Sequence, residues 1–343
     1  MIPRDINIKF IAEQANVSIA TVSNVINQKG RVSQKTAVRV RQVIEEYRYR
    51  GNLAARNLRT NRSYLFGLVV ALTKPEDKLH DNPFYWDLVS GIESAVRENE
   101  FVVALKGVSS KEELSSFIRE RSLDGLIVVG AHEGSILVEQ VKEFDMPTVY
   151  IDCYLNDPSV YQIHSDDHDG GYKAARHLID LGHREICLLS GEITPNTVNY
   201  FRWKGYKKAL QEQGIYDHKK LIETETSAHG GYTALSGIIE QFPEVTAMVT
   251  FSDITALGLY KGLNERGYRI PEDYSITGFD GTYFAEYIIP ALTTIKQDIG
   301  LKGVTAVQLL FDQMDGKTKE TNRVSLPVAL CRGSSTAPRP AFE

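Results

Sequence analysis

The chain has 343 residues, of which 42% are hydrophobic and 24% are charged. That length predicts a small domain joined to one or two larger ones, and the composition excludes a disordered chain. No apolar stretch approaches the length that crosses a bilayer, and the N-terminus lacks the apolar core of a secretion signal. We therefore expect a cytoplasmic protein, and we expect Cys153, Cys187 and Cys331 to be buried thiols rather than disulfide or metal ligands.

Charge is distributed unevenly along the chain. Residues 1 to 62 contain 12 Lys and Arg against 4 Asp and Glu, a net charge of +8. Because the whole chain carries −5, residues 63 to 343 carry −13. A basic end on an acidic body is typical of a protein that presents one end to a polyanion. Attraction to phosphates should then make binding strongly salt-dependent.

The basic end predicts three short helices. The first spans about residues 8 to 14, and Asn16 suits the tight turn that follows it. Ser18 is placed to cap the second helix, whose inward side is predicted to carry Val22, Val25 and Ile26. Ser33 should cap a third helix over residues 34 to 47. Its predicted packed side consists of Val38, Val40, Val43, Ile44 and Tyr47.

The outward side of the second helix carries small and amide side chains instead of long charged ones. They are Ile19, Ala20, Thr21, Ser23 and Asn24. Such a surface can enter a major groove and touch base edges. The alternative is an ordinary three-helix cap with a solvated surface, which the surrounding positive charge disfavours.

After a polar linker at residues 60–64, buried strands alternate with helices. Strand-length apolar runs lie at 65–72, 101–105, 125–130, 147–151, 185–190, 246–251 and 275–279. Helical patterns lie at 85–98, 111–120, 134–144, 168–181, 201–213, 230–241, 253–266 and 300–315. This alternation predicts two parallel sheets covered on both faces, with a ligand bound beyond the strand ends, between two lobes.

Several segments resemble, in order, the LacI/GalR family of bacterial transcription regulators. They include IAEQANVSIATVSNVIN, VSQKTAVRVRQVIEEYRY and NLAARNLRTNRS, then NPFYWDLVSGIE, FRWKGYKKAL, IPEDYSITGFDG and PALTTIKQD. The resemblance covers nearly the whole chain. It implies an α/β protein: an all-α helix-turn-helix head and a hinge helix, then a two-lobed periplasmic-binding-protein-like domain of doubly wound parallel sheets.

The resemblance implies a head at residues 1–50, a hinge at 51–63 and an effector-binding and dimerisation domain at 64–343. Within the last, the N-lobe would comprise about 64–165 plus 296–326. The C-lobe would comprise about 166–295 plus 327–343.

For DNA binding, the resemblance implies base contacts from Ile19, Ala20 and Asn24. Many relatives have Arg where Asn24 stands, and Asn favours adenine whereas Arg favours guanine. Thr21 and Ser23 are expected to contact phosphates or local backbone. In the hinge, Leu58 and Arg59 match a segment that wedges into the minor groove, although a plain amphipathic linker is the alternative. The remaining expected DNA contacts are Ser18, Asn27, Arg31, Asn52 and Ala55.

For the effector, the resemblance implies a small polar molecule, commonly a sugar. The matching positions are Phe84, Tyr85, Asp152, Arg202, Trp203, Thr226, Ser252, Asp253, Asp280 and Gln297. Carboxylates accept from sugar hydroxyls, and a guanidinium donates through a planar fork. Trp203 is either a stacking platform or a core residue. Ser252 replaces the Asn of many relatives, and Thr226 stands at a position that is often aromatic.

Two acidic segments are assigned no metal or cofactor. HSDDHDGG at 164–171 precedes a predicted helix, where Asp residues serve as caps, and metal-ligand spacing is absent. FDGTYF lacks the glycine-rich loop that holds phosphates.

We therefore expect a homodimeric regulator, most often a repressor in this family, that binds a near-palindromic operator and responds to a sugar-like effector. It should have no cofactor, membrane partner or enzymatic activity. A transport-type binding protein and a sugar-processing enzyme are the alternatives. The first would need a secretion signal, and the second would need a nucleophile-and-base pair or metal motif.

Overall fold

The computed structural model describes residues 6–26, 30, 32–47, 49, 62–72, 79, 82–317 and 321–339. The chain divides into two compact units, Met1–Tyr64 and Leu65–Glu343. In the described stretches, no helix combines the length and apolarity needed to span a bilayer.

The first unit contains helices α1 (Ile8–Gln14), α2 (Ile19–Ile26) and α3 (Gln34–Glu46). The turn after α1 has Asn16 in the left-handed region at φ 48°, and Ser18 Oγ caps α2 by accepting from the Thr21 amide at 3.1 Å. These features confirm the three predicted helices. Their core consists of Ile11, Ala12, Ala15, Val22, Val25, Val40 and Tyr49.

Two predicted core residues of the first unit are wrong. Ile26 is 40% exposed because it ends α2 at the margin of a small core. Val38 is 47% exposed because it precedes the fully buried Val40 by two residues, about 200° around a helix.

The second unit alternates strands and helices. Its strands are β1 Leu65–Ala71, β2 Val102–Val108, β3 Gly125–Val129, β4 Thr148–Ile151, β5 Tyr161–Ser165, β6 Ile186–Ser190, β7 Leu221–Glu223, β8 Ala247–Thr250, β9 Ser275–Asp280, β10 Thr293–Gln297, β11 Arg323–Leu326 and β12 Val328–Cys331. Its helices are α4 Phe84–Glu98, α5 Lys111–Arg121, α6 Ile136–Val141, α7 Asp167–Asp180, α8 Val198–Gln211, α9 Ala228–Gln241, α10 Asp253–Glu265 and α11 Ile299–Met314.

The strands form two six-stranded sheets. The first has the order β11-β5-β4-β3-β1-β2, and the second has the order β12-β10-β9-β8-β6-β7. All pairs are parallel except β10 with β12. We call the first sheet, with the helices packed on it, the first lobe. The second sheet and its helices form the second lobe. The chain passes between the lobes after β5, β10 and β11. Two predominantly parallel sheets are confirmed.

Burial explains which strands were predicted. Strands β3, β6, β8 and β9 are buried along their whole length, as expected where helices cover both faces of a parallel sheet. Strands β5, β7, β10, β11 and β12 were not predicted, because they are short or contain polar side chains. Cys153 and Cys187 are buried as expected, but Cys331 is exposed because it lies on the outward side of the edge strand β12.

Candidate functional site

The exposed side of α2 carries the side chains that the sequence assigned to DNA. Ile19 is 47% exposed, Ala20 and Asn24 are exposed, and Thr21 and Ser23 are partly buried. The Thr21 hydroxyl bonds Ser18 Oγ at 2.9 Å, so its first role is local. The face of α2 opposite Val22 and Val25 therefore carries uncharged, mostly small side chains that are open to solvent.

Six further expected DNA contacts, Asn27, Arg31, Asn52, Ala55, Leu58 and Arg59, lie outside the described residues.

In the second unit, a buried polar network begins at the end of β4. Asp152 follows this strand at φ 55°, a conformation that Asp tolerates better than most residues. Its two carboxylate oxygens accept hydrogen bonds from Lys302 Nζ at 2.8 and 3.0 Å. Lys302 is fully buried and donates a third bond, at 2.7 Å, to Gln297 Oε1.

Gln297 continues the network into the second lobe. Its Oε1 also accepts from Ser165 Oγ at 2.8 Å, and its Nε2 donates to Asp280 Oδ1 at 2.7 Å. Ser165 ends β5 and Gln297 ends β10, which are two of the places where the chain changes lobes. The network therefore crosses from lobe to lobe where the connecting segments lie.

Arg202 forms the second-lobe end of the network. Its Nε donates to Asp167 Oδ1 at 2.7 Å, and its Nη1 donates to the Phe251 carbonyl at 2.6 Å and lies 3.9 Å from Asp280 Oδ1. The guanidinium also stacks 3.6 Å from the ring centre of Phe279. Asp167 is fully buried and accepts a further bond from Tyr154 Oη at 2.5 Å.

Close helix packing places Arg202 beside Asp167. At Gly171 in α7, a Cβ atom would collide with the Arg202 carbonyl. At Gly205 in α8, a Cβ atom would collide with the His168 carbonyl. Two glycines therefore let the helix backbones touch, and this proximity brings a residue from each helix into one ion pair.

Burial changes the proton affinity of two carboxyl groups here. Removal from water raises the pKa of Asp280 to about 8, although Arg202 opposes the shift. Burial likewise raises the pKa of Asp253 to about 6, against hydrogen bonds from Thr294 and Thr282. Asp280 therefore keeps a proton at higher pH than an ordinary aspartate.

Ser252 and Asp253 support the site through bonds that occupy their own side chains. Ser252 Oγ caps α10 by accepting from the Thr255 amide at 3.3 Å. Asp253 accepts from the Thr282 amide and hydroxyl at 2.8 and 2.9 Å and from Thr294 Oγ1 at 2.6 Å. With both oxygens engaged and the residue fully buried, Asp253 fixes the loop that carries Asp280.

Among the expected effector contacts, Asp152, Arg202, Asp280 and Gln297 are brought together. Phe84 lies nearby, with its ring centre 5.5 Å from Lys302 Nζ, and the Tyr85 ring lies 5.5 Å from that of Phe84. Trp203 instead packs on the core of the second lobe, and Thr226 is exposed beside Gly191. Neither shares a described bond with the network.

Three important members, Lys302, Asp167 and Tyr154, were missed in the sequence. Lys302 left a signal, because it occupies the same helix face as Ile299, Ala306 and Leu310, which are all buried. Asp167 was grouped with the capping aspartates of the acidic run. Only its neighbour Asp166 makes the cap, by accepting from the Asp169 amide at 3.0 Å.

Two further residues of the acidic run, Asp169 and His164, contact protein groups. Asp169 bonds Lys173 at 2.5 Å, and the His164 ring stacks 4.4 Å from that of Tyr154. Across the described parts of the chain, no group of three or more His, Cys, Asp and Glu side chains has an arrangement suited to a metal ion.

Comparison with known proteins matches both units to known domains. Residues 7–52 match the family described as bacterial regulatory proteins, lacI family, and residues 175–336 match the periplasmic binding protein-like domain. The regulator DegA of Bacillus subtilis is 32% identical over 96% of this chain and 97% of its own. The repressor PurR of Edwardsiella ictaluri is 29% identical over 98% of each chain.

Solved structures show the same similarity. The Lac repressor dimer bound to operator and the anti-inducer ONPF has a TM-score of 0.83 at 27% identity, covering 97% of this chain and 100% of that one. The regulator CelR with cellobiose has a TM-score of 0.73 at 28% identity, covering 96% and 100%. A ribose-bound regulator from Enterococcus faecium has a TM-score of 0.70 at 34% identity, covering 80% and 99%.

Proposed function

Because the chain belongs to the lacI family of bacterial regulatory proteins, to which its 32% identity with DegA over 96% of its length assigns it, we propose that a sugar-like effector between its lobes controls its binding to operator DNA. The chain is a transcription regulator whose helix-turn-helix head binds DNA. The observation that carries the proposal is the buried polar network, which joins both lobes beside the segments that connect them.

The head supports sequence-specific binding. Its basic character supplies attraction to phosphates, and the open face of α2 supplies Ile19, Ala20 and Asn24 for base edges. Two copies of the head would read two half-sites of a near-palindromic operator. Repression is the expected outcome, since the PurR relatives are repressors.

The network supports a polyhydroxy ligand. It contains a guanidinium, carboxylates and an amide, which together can accept from and donate to adjacent hydroxyls. The neighbours CelR and the Enterococcus faecium regulator bind cellobiose and ribose respectively. We propose Asp152, Arg202, Asp280 and Gln297 as direct contacts, with Phe84 and Tyr85 as the aromatic wall. We assign Ser252 and Asp253 a supporting role, in which they hold the surrounding backbone in place.

Ligand binding would change the affinity for DNA by changing the angle between the two lobes. Ser165, Asp167 and Gln297 stand at the crossings between the sheets, so a ligand that replaces their bonds favours a different angle. The two angles must differ in ligand affinity, because a ligand that binds both equally shifts neither.

Both lobes carry exposed apolar side chains that could form a homodimer interface. In the second lobe, Tyr283, Tyr287 and Ile289 are 70, 78 and 88% exposed. Ile289 also lines a groove of about 720 Å³ between α9 and α10. In the first lobe, the exposed apolar side chains are Trp86, Val102, Leu105, Leu301 and Val304. Large exposed apolar patches mark association sites, and the Lac repressor neighbour is a dimer.

The proposed domain division is a head to residue 50, a hinge over 51–63 and an effector domain from 64. The lobes comprise 64–165 plus 298–326 and 166–297 plus 327–343. The second boundary follows β10, which pairs in the second sheet to Gln297. The chain would act in the cytoplasm, where it meets DNA, and would release its ligand unchanged.

The test begins with selection of duplexes from a random pool by the full chain. Operator affinity is then measured with and without cellobiose, ribose and related sugars. A sugar that changes affinity severalfold supports the proposal, and recovery of that sugar unaltered separates binding from catalysis. A sugar that binds tightly but leaves operator affinity unchanged is excluded as the effector.

A further inference from the structure

Lys302 is a fully buried cation whose three donor bonds are all used. Its Nζ bonds both oxygens of Asp152 and Oε1 of Gln297, and the ring of Phe84 lies 5.5 Å away. A buried ammonium is tolerated only when it is paired and hydrogen-bonded.

The position of Lys302 fixes the orientation of the Gln297 amide. Gln297 Oε1 accepts from Lys302 and from Ser165 Oγ. If the amide were flipped by 180°, its NH₂ group would face these two donors and neither bond could form. Gln297 Nε2 must therefore face Asp280, to which it donates at 2.7 Å. Lys302 makes Gln297 a donor on the cleft side.

Lys302 also sets the charge of the cleft. Two carboxylates of the network, Asp152 and Asp167, face two cations, Lys302 and Arg202, while buried Asp280 keeps its proton below its raised pKa of about 8. Arg202 is engaged by Asp167, so Lys302 is the partner that balances Asp152. Without Lys302, the same carboxyl groups would face one cation, and a protonated amine on a ligand would replace it.

We infer that Lys302 determines effector specificity: it balances Asp152 and orients Gln297, so that the cleft binds an uncharged polyhydroxy ligand in preference to its amine-bearing counterpart. This inference rests on the proposed function and specifies the ligand class of the same site. Lys302 acts through Asp152 and Gln297, and is therefore a positioning residue.

The experiment compares matched sugars by calorimetric titration of the full chain. The pairs are glucose with glucosamine, galactose with galactosamine, and cellobiose with the corresponding disaccharide of glucosamine. Measurements are made at about pH 6, where ordinary amines are protonated. The variants are Lys302→Met, Lys302→Arg, Asp152→Asn and the double variant Lys302→Met with Asp152→Asn.

The matched control is Lys220→Met. Lys220 is also a poorly exposed lysine, 12% by side chain, and it pairs with Glu185 and with Glu244 at 3.0 Å in the second lobe. It shares no described bond with the network. A general loss of stability would appear in this variant too, whereas a change in ligand preference should not.

The wild-type chain is expected to prefer the uncharged member of a pair. Lys302→Met should shift the ratio of the two affinities toward the amine by about tenfold or more, because one uncompensated buried carboxylate remains. Lys302→Arg and the double variant should keep the wild-type ratio, as should Lys220→Met. An amine preference in the wild type, or an unchanged ratio in Lys302→Met, would overturn the inference.

If no sugar binds the wild type, the sugar part of the proposed function fails, and thermal unfolding decides the inference. The Lys302→Met and Asp152→Asn variants should each lower the unfolding midpoint. The double variant should regain much of the loss, because no charge is left unpaired. Losses that simply add would show that the two side chains are not coupled, and the inference would then be wrong.

Discussion

The two polar surfaces of this protein differ in what their side chains contact. On α2 of the head, Asn24 and its neighbours face solvent. In the polar network that joins the lobes of the second unit, Arg202, Asp280 and Lys302 are buried and bonded to other protein groups. The proposed DNA-reading surface is thus exposed before DNA arrives, whereas the polar groups of the proposed effector site are bonded to one another.

The two surfaces should therefore respond differently to substitution. A ligand in the proposed site would exchange protein–protein bonds for protein–ligand bonds, and this exchange would favour a different angle between the lobes. DNA binding by α2 requires no such exchange. Substitutions in the cleft should therefore affect folding and ligand response together, while substitutions on α2 should affect DNA binding alone.

The largest effect is expected from Arg202→Met. Removing the guanidinium leaves the fully buried Asp167 without its cation, which should lower the free energy of unfolding by about 3–5 kcal/mol. Urea unfolding measures the loss. The control Arg176→Met removes an exposed pair with Asp180 and should cost at most about 0.5 kcal/mol. Equal losses would contradict the distinction between buried and exposed charges.

Gly171→Ala should have the next largest effect. The added methyl group meets the Arg202 carbonyl, so α7 and α8 must separate, at a cost of about 1–3 kcal/mol. Gly237→Ala in α9 is the control, since its Cβ meets nothing closer than 3.7 Å. That change should stabilise the helix by up to about 1 kcal/mol. Chemical denaturation of both variants would reveal whether the signs are opposite.

Asn24→Arg should change base preference without changing stability. Arg favours guanine where Asn favours adenine, and each such contact discriminates by about 1–3 kcal/mol. Sequencing of duplexes selected by the two proteins compares the motifs, and the unfolding midpoint should stay unchanged because Asn24 is exposed. An identical selected motif would show that Asn24 does not read a base.

Asp280→Asn should make the stability of the protein depend less steeply on pH. Burial raises the pKa of Asp280 from 3.8 to about 8, so the native state binds the proton more tightly than the unfolded state. Stability from this group is therefore present at low pH and lost as pH rises through that window, by at most about 1.4 kcal/mol per pH unit. Unfolding midpoints of the wild type and Asp280→Asn, measured between pH 3.8 and about 8, test this dependence. Asp180→Asn, whose carboxylate is 57% exposed, should keep the wild-type slope.

The sequence predicted the elements whose physics is local. Helices α1 and α2 followed from apolar spacing, a turn-forming Asn16 and a capping Ser18. The fully buried and largely apolar strands β3, β6 and β8 followed from composition. Strand β10, with the sequence TTIKQ, could not be recognised in this way, because tertiary bonds such as that of Thr294 to Asp253 satisfy its polar groups.

The members of the buried polar network were predicted less completely than the fold. Resemblance supplied Asp152, Arg202, Asp280 and Gln297, but it could not reveal that Lys302 and Asp167 would join them. A buried charge is recognisable only when its partner is known, and Asp152 lies 150 residues from Lys302. For Trp203, the sequence left two alternatives open, a stacking platform for the ligand or a core residue. In the structure, Trp203 packs on the core.

The most direct test measures operator affinity of the full-length chain at increasing concentrations of a sugar that it binds, alongside Asn24→Arg and Arg202→Lys variants. We expect the sugar to change wild-type operator affinity severalfold and Arg202→Lys to weaken this response. Asn24→Arg, measured on its own selected duplex, should respond as the wild type does. Operator affinity that stays constant while the sugar saturates the chain would show that the sugar does not control DNA binding.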